Sequence, residues 1–196
     1  MSLIVNKLSS SLLPEISFNA SPGQCLCLAG PSGVGKTLLL RAIADLDPNQ
    51  GDIQLENKAR ESFSPDSWRK KVTYVPAESF WWSDLVSDHF TDSNPPLEKL
   101  GLNPDSLNWT TSRLSSGEKQ RLSILRAMDH DPKVLLLDEA TANLDNTNRD
   151  AVESLVRELL GQDKIIIWVS HDKQQRQRMA NKSFILSREG LQEEKA

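Results

Sequence analysis

Gly30-Pro31-Ser32-Gly33-Val34-Gly35-Lys36-Thr37 fits the pattern G-x-x-x-x-G-K-[ST] without a mismatch. The apolar run Cys25 to Ala29 precedes it and Leu38-Leu39-Leu40 follows, which predicts a loop between a buried strand and a helix. Glycines at 30, 33 and 35 allow backbone conformations that bulkier residues resist, so amide N–H groups can converge on an anion. The helix opening near Lys36 adds the positive end of its dipole. Gly30, Pro31, Ser32, Gly33, Val34, Gly35, Lys36 and Thr37 are therefore expected to cradle a nucleotide polyphosphate. Lys36 is expected to reach the β- and γ-phosphates, and the Thr37 hydroxyl to bind Mg²⁺.

Downstream, Val134-Leu135-Leu136-Leu137 reads as a buried strand that carries Asp138 and Glu139 to its carboxyl end. In open α/β sheets ligands bind at that edge. Two acids ending a strand would by themselves suit a helix-capping turn. Beyond a phosphate loop they suit a metal ligand, Asp138, and a residue that polarises an attacking water, Glu139.

The whole chain supports one such domain. Its 196 residues are 38% hydrophobic and 26% charged, enough for a core without disulfides. A net charge of −4 and the absence of a basic patch argue against nucleic acid as a partner. No apolar run approaches the roughly 20 residues needed to span a bilayer, and Met1 to Asn6 lacks the features of a signal peptide. The expected location is the cytosol, with any membrane role exercised through a partner. Cys25 and Cys27 fall on one face of a strand and are expected to be reduced core thiols.

Cys25–Ala29, Val72–Val75, Val134–Leu137, Ile165–Val169 and Phe184–Leu186 read as strands. Between two of them, Ala151, Val152, Leu155, Val156, Leu159 and Leu160 recur at helical spacing and Gly161 follows as a stop. Alternation of this kind predicts a mostly parallel sheet wrapped by helices. Leu3–Val5, Ile16–Phe18 and Asp52–Leu55 suggest a small N-terminal antiparallel sheet. Ser79 to Arg113, rich in Pro, Asn, Ser and Trp, reads as a short, mostly helical insertion. The tail after His171 is expected to be too short for a regulatory domain.

The stretch Leu114-Ser115-Ser116-Gly117-Glu118-Lys119-Gln120-Arg121 narrows the class. It resembles the signature sequence of ATP-binding cassette proteins, usually written L-S-G-G-Q. Ser115 and Glu118 also fit a capping box, and a helix start with a free serine hydroxyl and Gly117 suits a γ-phosphate. Further resemblances follow in order: Ala142-Asn143-Leu144-Asp145 is similar to the D-loop, and His171 to the switch histidine that senses the γ-phosphate. The resemblance spans essentially the whole chain. It implies one P-loop NTPase domain over residues 1–196: an α/β core, an antiparallel β subdomain and a shortened helical subdomain at about 79–113. It also implies an ATPase using ATP and Mg²⁺. Ser115, Ser116, Gly117 and Glu118 would complete the ATP site of a second cassette, with Asp145 at the interface. Closure of the head-to-tail pair, most simply a homodimer, would drive a separate membrane permease from its cytoplasmic face. The compact chain also resembles small bacterial cassettes of metal (iron) efflux systems.

The sequence departs from the pattern at two site positions. Ala77 stands where the family has a glutamine that helps hold Mg²⁺ and water, and no aromatic residue between Asn6 and Leu13 is available to stack on adenine. These departures leave open a weakly hydrolysing regulatory cassette, and a non-transport soluble cassette is a further alternative. Phe80-Trp81-Trp82 suits either an exposed anchor for the membrane partner or the core of the trimmed subdomain. Trp109 reads as packing, and Arg69-Lys70-Lys71 as a solvated face.

Overall fold

The computed structural model describes residues 2–194. Two sheets organise them. Strands β1 (Leu3–Ser10), β2 (Leu13–Ala20), β4 (Gln50–Leu55) and β5 (Lys58–Ala59) form an antiparallel sheet in the order β2-β1-β4-β5. The larger sheet contains β3 (Cys25–Ala29), β6 (Val72–Val75), β7 (Val134–Asp138), β8 (Ile165–Val169), β9 (Lys182–Ser187) and β10 (Gly190–Glu193). Its order is β10-β9-β3-β8-β7-β6, parallel throughout except for β10.

Every residue of β3, β7 and β8 is buried, as expected of strands covered on both faces. Their alternation divides the core. Leu26, Leu28, Leu136 and Ile167 point toward helix α1 (Lys36–Ile43), helix α2 (Pro65–Lys71) and the antiparallel sheet. Cys25, Cys27, Leu137 and Trp168 point toward helices α3 (Ser116–Ala127) and α4 (Asn146–Gly161). The thiols of Cys25 and Cys27 are free, buried and 4.0 Å apart. Both side chains belong to the core facing α3 and α4.

Residues 79–113 differ from the expected helical insertion in kind. Their helical turns, Ser87–His89, Leu97–Leu100, Pro104–Asn108 and Thr111–Arg113, are all 3₁₀. Pro95, Pro96 and Pro104 interrupt backbone hydrogen bonding too often for an α-helix to propagate. An isolated bridge between Leu85 and Thr110 ties the segment's ends together. Helix α4 starts earlier than its apolar period suggests, because Asp145 caps a polar first turn by accepting from the Asn148 amide at 2.9 Å. Gly161 is its last residue rather than the stop beyond it. A final helix, α5 (Lys173–Met179), links β8 to β9.

Candidate nucleotide site

Strands β3, β8 and β7 are neighbours and parallel, so their carboxyl ends share one edge of the sheet. From that edge emerge the loop Gly30–Gly35, the pair Asp138-Glu139 and the pair Ser170-His171. The loop is tightly fitted. A Cβ on Gly30, at φ 148°, would lie 2.5 Å from the Leu186 carbonyl oxygen; one on Gly35, at φ 107°, would lie 2.7 Å from Leu13 Cδ2. Both positions therefore require glycine. Gly35 is the N-cap of α1 and no side chain caps the helix, leaving its first-turn amides directed at the loop. Lys36 is buried and its Nζ donates to the carbonyls of Gly30 (2.9 Å) and Pro31 (3.0 Å). The ammonium thus lies across the loop that is expected to hold the phosphates.

Thr37 Oγ1 donates to Asp138 Oδ2 at 2.7 Å, which brings two hard oxygen ligands together beneath the loop. That donor set fits Mg²⁺. The Tyr74 hydroxyl donates to the same carboxylate oxygen at 2.9 Å. Burial, then the Asp138 charge and hydrogen bond, push the Tyr74 phenol well above its usual value. Tyr74 escaped the sequence reading although it places a polar tip inside the apolar run Val72–Val75, which was the available signal.

Glu139 leaves β7 in the left-handed region, at φ 49°, and its N–H donates to the Val169 carbonyl at 3.0 Å. A non-glycine residue held there is strained backbone at the sheet edge. The turn aims Glu139 Oε1 at His171 Nε2, 2.9 Å away. Both side chains remain partly open to solvent. Lys36, Thr37, Asp138, Glu139 and His171 thus gather on the edge the sequence predicts.

The signature residues form a separate cluster. Ser115 caps α3, its Oγ accepting from the Glu118 amide at 3.2 Å while Glu118 Oε2 accepts from the Ser115 amide at 2.9 Å. The Ser115 hydroxyl also donates to Glu118 Oε2 at 2.7 Å, so it is engaged rather than free. These bonds, with Ser115 Oγ the strongest, hold the Glu118 carboxyl below its usual value. Arg121 on α3 bonds to Asn148 on α4, whose side chain donates to Asp145 at 2.6 Å. Ser115, Ser116, Ala142, Asn143 and Asp145 are exposed. Among the described residues, no hydrogen bond joins Ser115, Ser116, Gly117 or Glu118 to the phosphate loop of the same chain.

A family model described as ABC transporter matches residues 13–142. The chain belongs to the ABC transporter family. Among curated ABC proteins it is 32% identical over 179 residues to the probable iron export ATP-binding protein FetA of Escherichia coli (strain K12), covering 84% of this chain and 80% of that one. It is 30% identical over 209 residues to a probable anion import ATP-binding protein of Haloferax volcanii, covering 90% and 72%. A solved ATP-binding subunit of an ABC transporter superposes with a TM-score of 0.88 at 21% identity, covering 97% of this chain and 88% of the other, which establishes the shared fold. No helix among the described residues is long and apolar enough to cross a membrane.

Two features concern the positions singled out in the sequence, Ala77 and the stretch from Asn6 to Leu13. Beyond β6, the Pro76 carbonyl accepts from Gln120 Nε2 at 3.0 Å, while Ala77 and Glu78 are exposed. On the opposite side, the turn between β1 and β2 presents Leu12, 72% exposed, beside the phosphate loop that its neighbour Leu13 touches. Leu12 lies in the stretch between Asn6 and Leu13 that holds no aromatic residue. Its closeness to the loop comes from the β1–β2 hairpin and could not be read from spacing.

Proposed function

We propose that two copies of this ABC transporter ATPase close head to tail around two Mg-ATP molecules, and that closing and reopening moves a permease from the cytoplasmic face of the membrane. One observation carries the reading: Thr37–Asp138 and Glu139–His171 are formed pairs on one sheet edge, while Ser115, Ser116 and Asp145 are exposed elsewhere and Gly117 and Glu118 partly so. The chain supplies two halves of a site that do not meet within it.

Lys36 exchanges its two carbonyl partners for phosphate oxygens, and the loop amides take up the remaining charge. Thr37 and Asp138 would hold Mg²⁺, which would supply neutralisation of phosphate charge. Glu139 orients and polarises water, and His171 steadies Glu139 and meets the γ-phosphate. The partner's signature helix closes the other side. Catalysis is positional and electrostatic.

Phe80 (75% exposed) and Trp82 (64% exposed) supply an anchor for the permease. Arg126 prepares it, stacking on Trp81 and Trp82 at 4.9 and 4.8 Å and donating to the Phe80 carbonyl at 3.0 Å. Trp81 itself packs into the core. The relatives are ATP-binding proteins named for iron export and for anion import, so an ATP site of this kind does not by itself set the cargo.

Steady-state Mg-ATP hydrolysis tests the assignment. Glu139→Gln should lower kcat by about 10²-fold or more while ATP still binds. Unchanged turnover would remove Glu139 from its role. A second reading, a regulatory half of a mixed pair, is favoured by the exposed methyl of Ala77. Slow wild-type turnover that Ala77→Gln accelerates would select it.

A further inference from the structure

A buried polar cluster lies directly behind the two loops that carry Glu139 and His171. At its centre is Gln175 of α5, 1% exposed. Its Oε1 accepts from Ser170 Oγ at 2.7 Å, and its Nε2 donates to Thr141 Oγ1 at 3.0 Å and to Glu153 Oε1 at 3.1 Å. Ser170 immediately precedes His171, and Thr141 follows Glu139 by two positions. One amide therefore bridges both loops. Glu153 of α4, 2% exposed, is held in turn by Arg178 at 2.8 and 3.2 Å and by Arg157 at 3.3 Å. Burial pushes the Glu153 carboxyl up, but hydrogen bonds from Arg178 and Gln175 outweigh it and hold the group charged.

We infer that Gln175 is a positioning residue for ATP hydrolysis, its amide locking the Glu139 loop to the His171 loop and Glu153 fixing the amide's orientation. Gln175, Thr141 and Ser170 line a cavity of about 210 Å³ together with Glu139 and His171. An amide suits the position, because one end accepts from Ser170 while the other donates to a carboxylate. Displacing either loop by about 1 Å would separate Glu139 from His171, and errors of that size are costly in catalysis. The inference rests on the roles proposed above for that pair.

ATPase kinetics on the purified chain, with Gln175→Leu and Gln175→Glu beside wild type and Glu139→Gln, provide the test. Gln175→Leu should lower kcat about tenfold or more while the KM for ATP stays within about twofold, because the phosphate loop is untouched. Gln175→Glu should regain activity, relative to wild type, as pH falls. The new carboxyl would lie about 3 Å from Glu153, and two carboxylates that close share a proton. The charged and titratable groups around it are Glu153, Arg157 and Arg149 of α4, Arg176 and Arg178 of α5, Asp172, and Glu139 and His171 across the same cavity lining. Once protonated, it donates to Glu153 as the amide does. Wild-type kcat in Gln175→Leu, or a wild-type pH profile in Gln175→Glu, overturns the inference. So does a parallel loss of ATP affinity or of helical circular dichroism, which would make Gln175 merely structural. Full activity in Glu139→Gln would instead remove the underlying site reading, and this inference with it.

Discussion

Leu12 offers a way to probe base binding without touching the groups proposed for the chemistry. The groups proposed to handle phosphate, Lys36, Thr37, Asp138, Glu139 and His171, gather at one sheet edge, whereas the side expected to face the base offers an aliphatic side chain. An aromatic ring stacked on a base contributes about 1–3 kcal/mol. Leu12→Tyr should therefore lower the Kd for ATP about fivefold or more, while inorganic triphosphate binds as before. Calorimetric titration with both ligands separates a contact to adenine from a change in the loop. Equal gains for both, or none for ATP, would place the base elsewhere. Tyr74 illustrates the opposite case, a residue that joins the site through Asp138 rather than through the nucleotide.

Helix α3 begins with a device that is at once structural and functional. The Ser115–Glu118 box satisfies the helix end, yet it engages the hydroxyl that a partner's nucleotide is expected to claim. Because the Glu118 carboxyl is depressed in the folded chain, its stabilisation is present above the unfolded value of about 4.3 and is lost as pH falls through the folded value. Glu118→Gln should melt below wild type at neutral pH, and the two curves should converge in acid. A gap that is constant with pH would show that the charge contributes nothing. Ser115→Ala removes the cap itself and should cost about 1 kcal/mol, or about 2–4 °C in Tm. The same elements mark what the sequence made legible. The strands β3, β6, β7 and β8 and the phosphate loop announced themselves because continuous burial and anion binding leave local signatures. The α4 first turn, the β10 hairpin and the 3₁₀ turns of residues 79–113 did not, since polar caps and proline breaks carry no apolar period. Gln175 was invisible for a different reason. Its significance arises only when Thr141, Glu153 and Ser170, on three separate elements, converge on one amide.

At the scale of the molecule, the separation of the signature cluster from the phosphate loop becomes an assembly rule. If each ATP needs a phosphate loop from one chain and a signature from another, Glu139→Gln should trap the pair. Light scattering should then show the 21.9 kDa chain doubling its mass in ATP but not in ADP. A single mass with ATP bound would count against the sandwich. Mixing crippled chains probes the geometry further. Lys36→Ala spoils the phosphate loop, and Gly117→Asp spoils the signature by placing a carboxylate where the γ-phosphate is expected, beside Leu144. Each variant alone makes pairs in which both sites are damaged. In a mixed head-to-tail pair, the intact loop of the Gly117→Asp chain meets the intact signature of the Lys36→Ala chain. One site is then whole and the other doubly damaged. Mixing should therefore restore hydrolysis above the sum of the two variants. If loop and signature served the same nucleotide within one chain, every chain in the mixture would still lack one of them, and no activity would return.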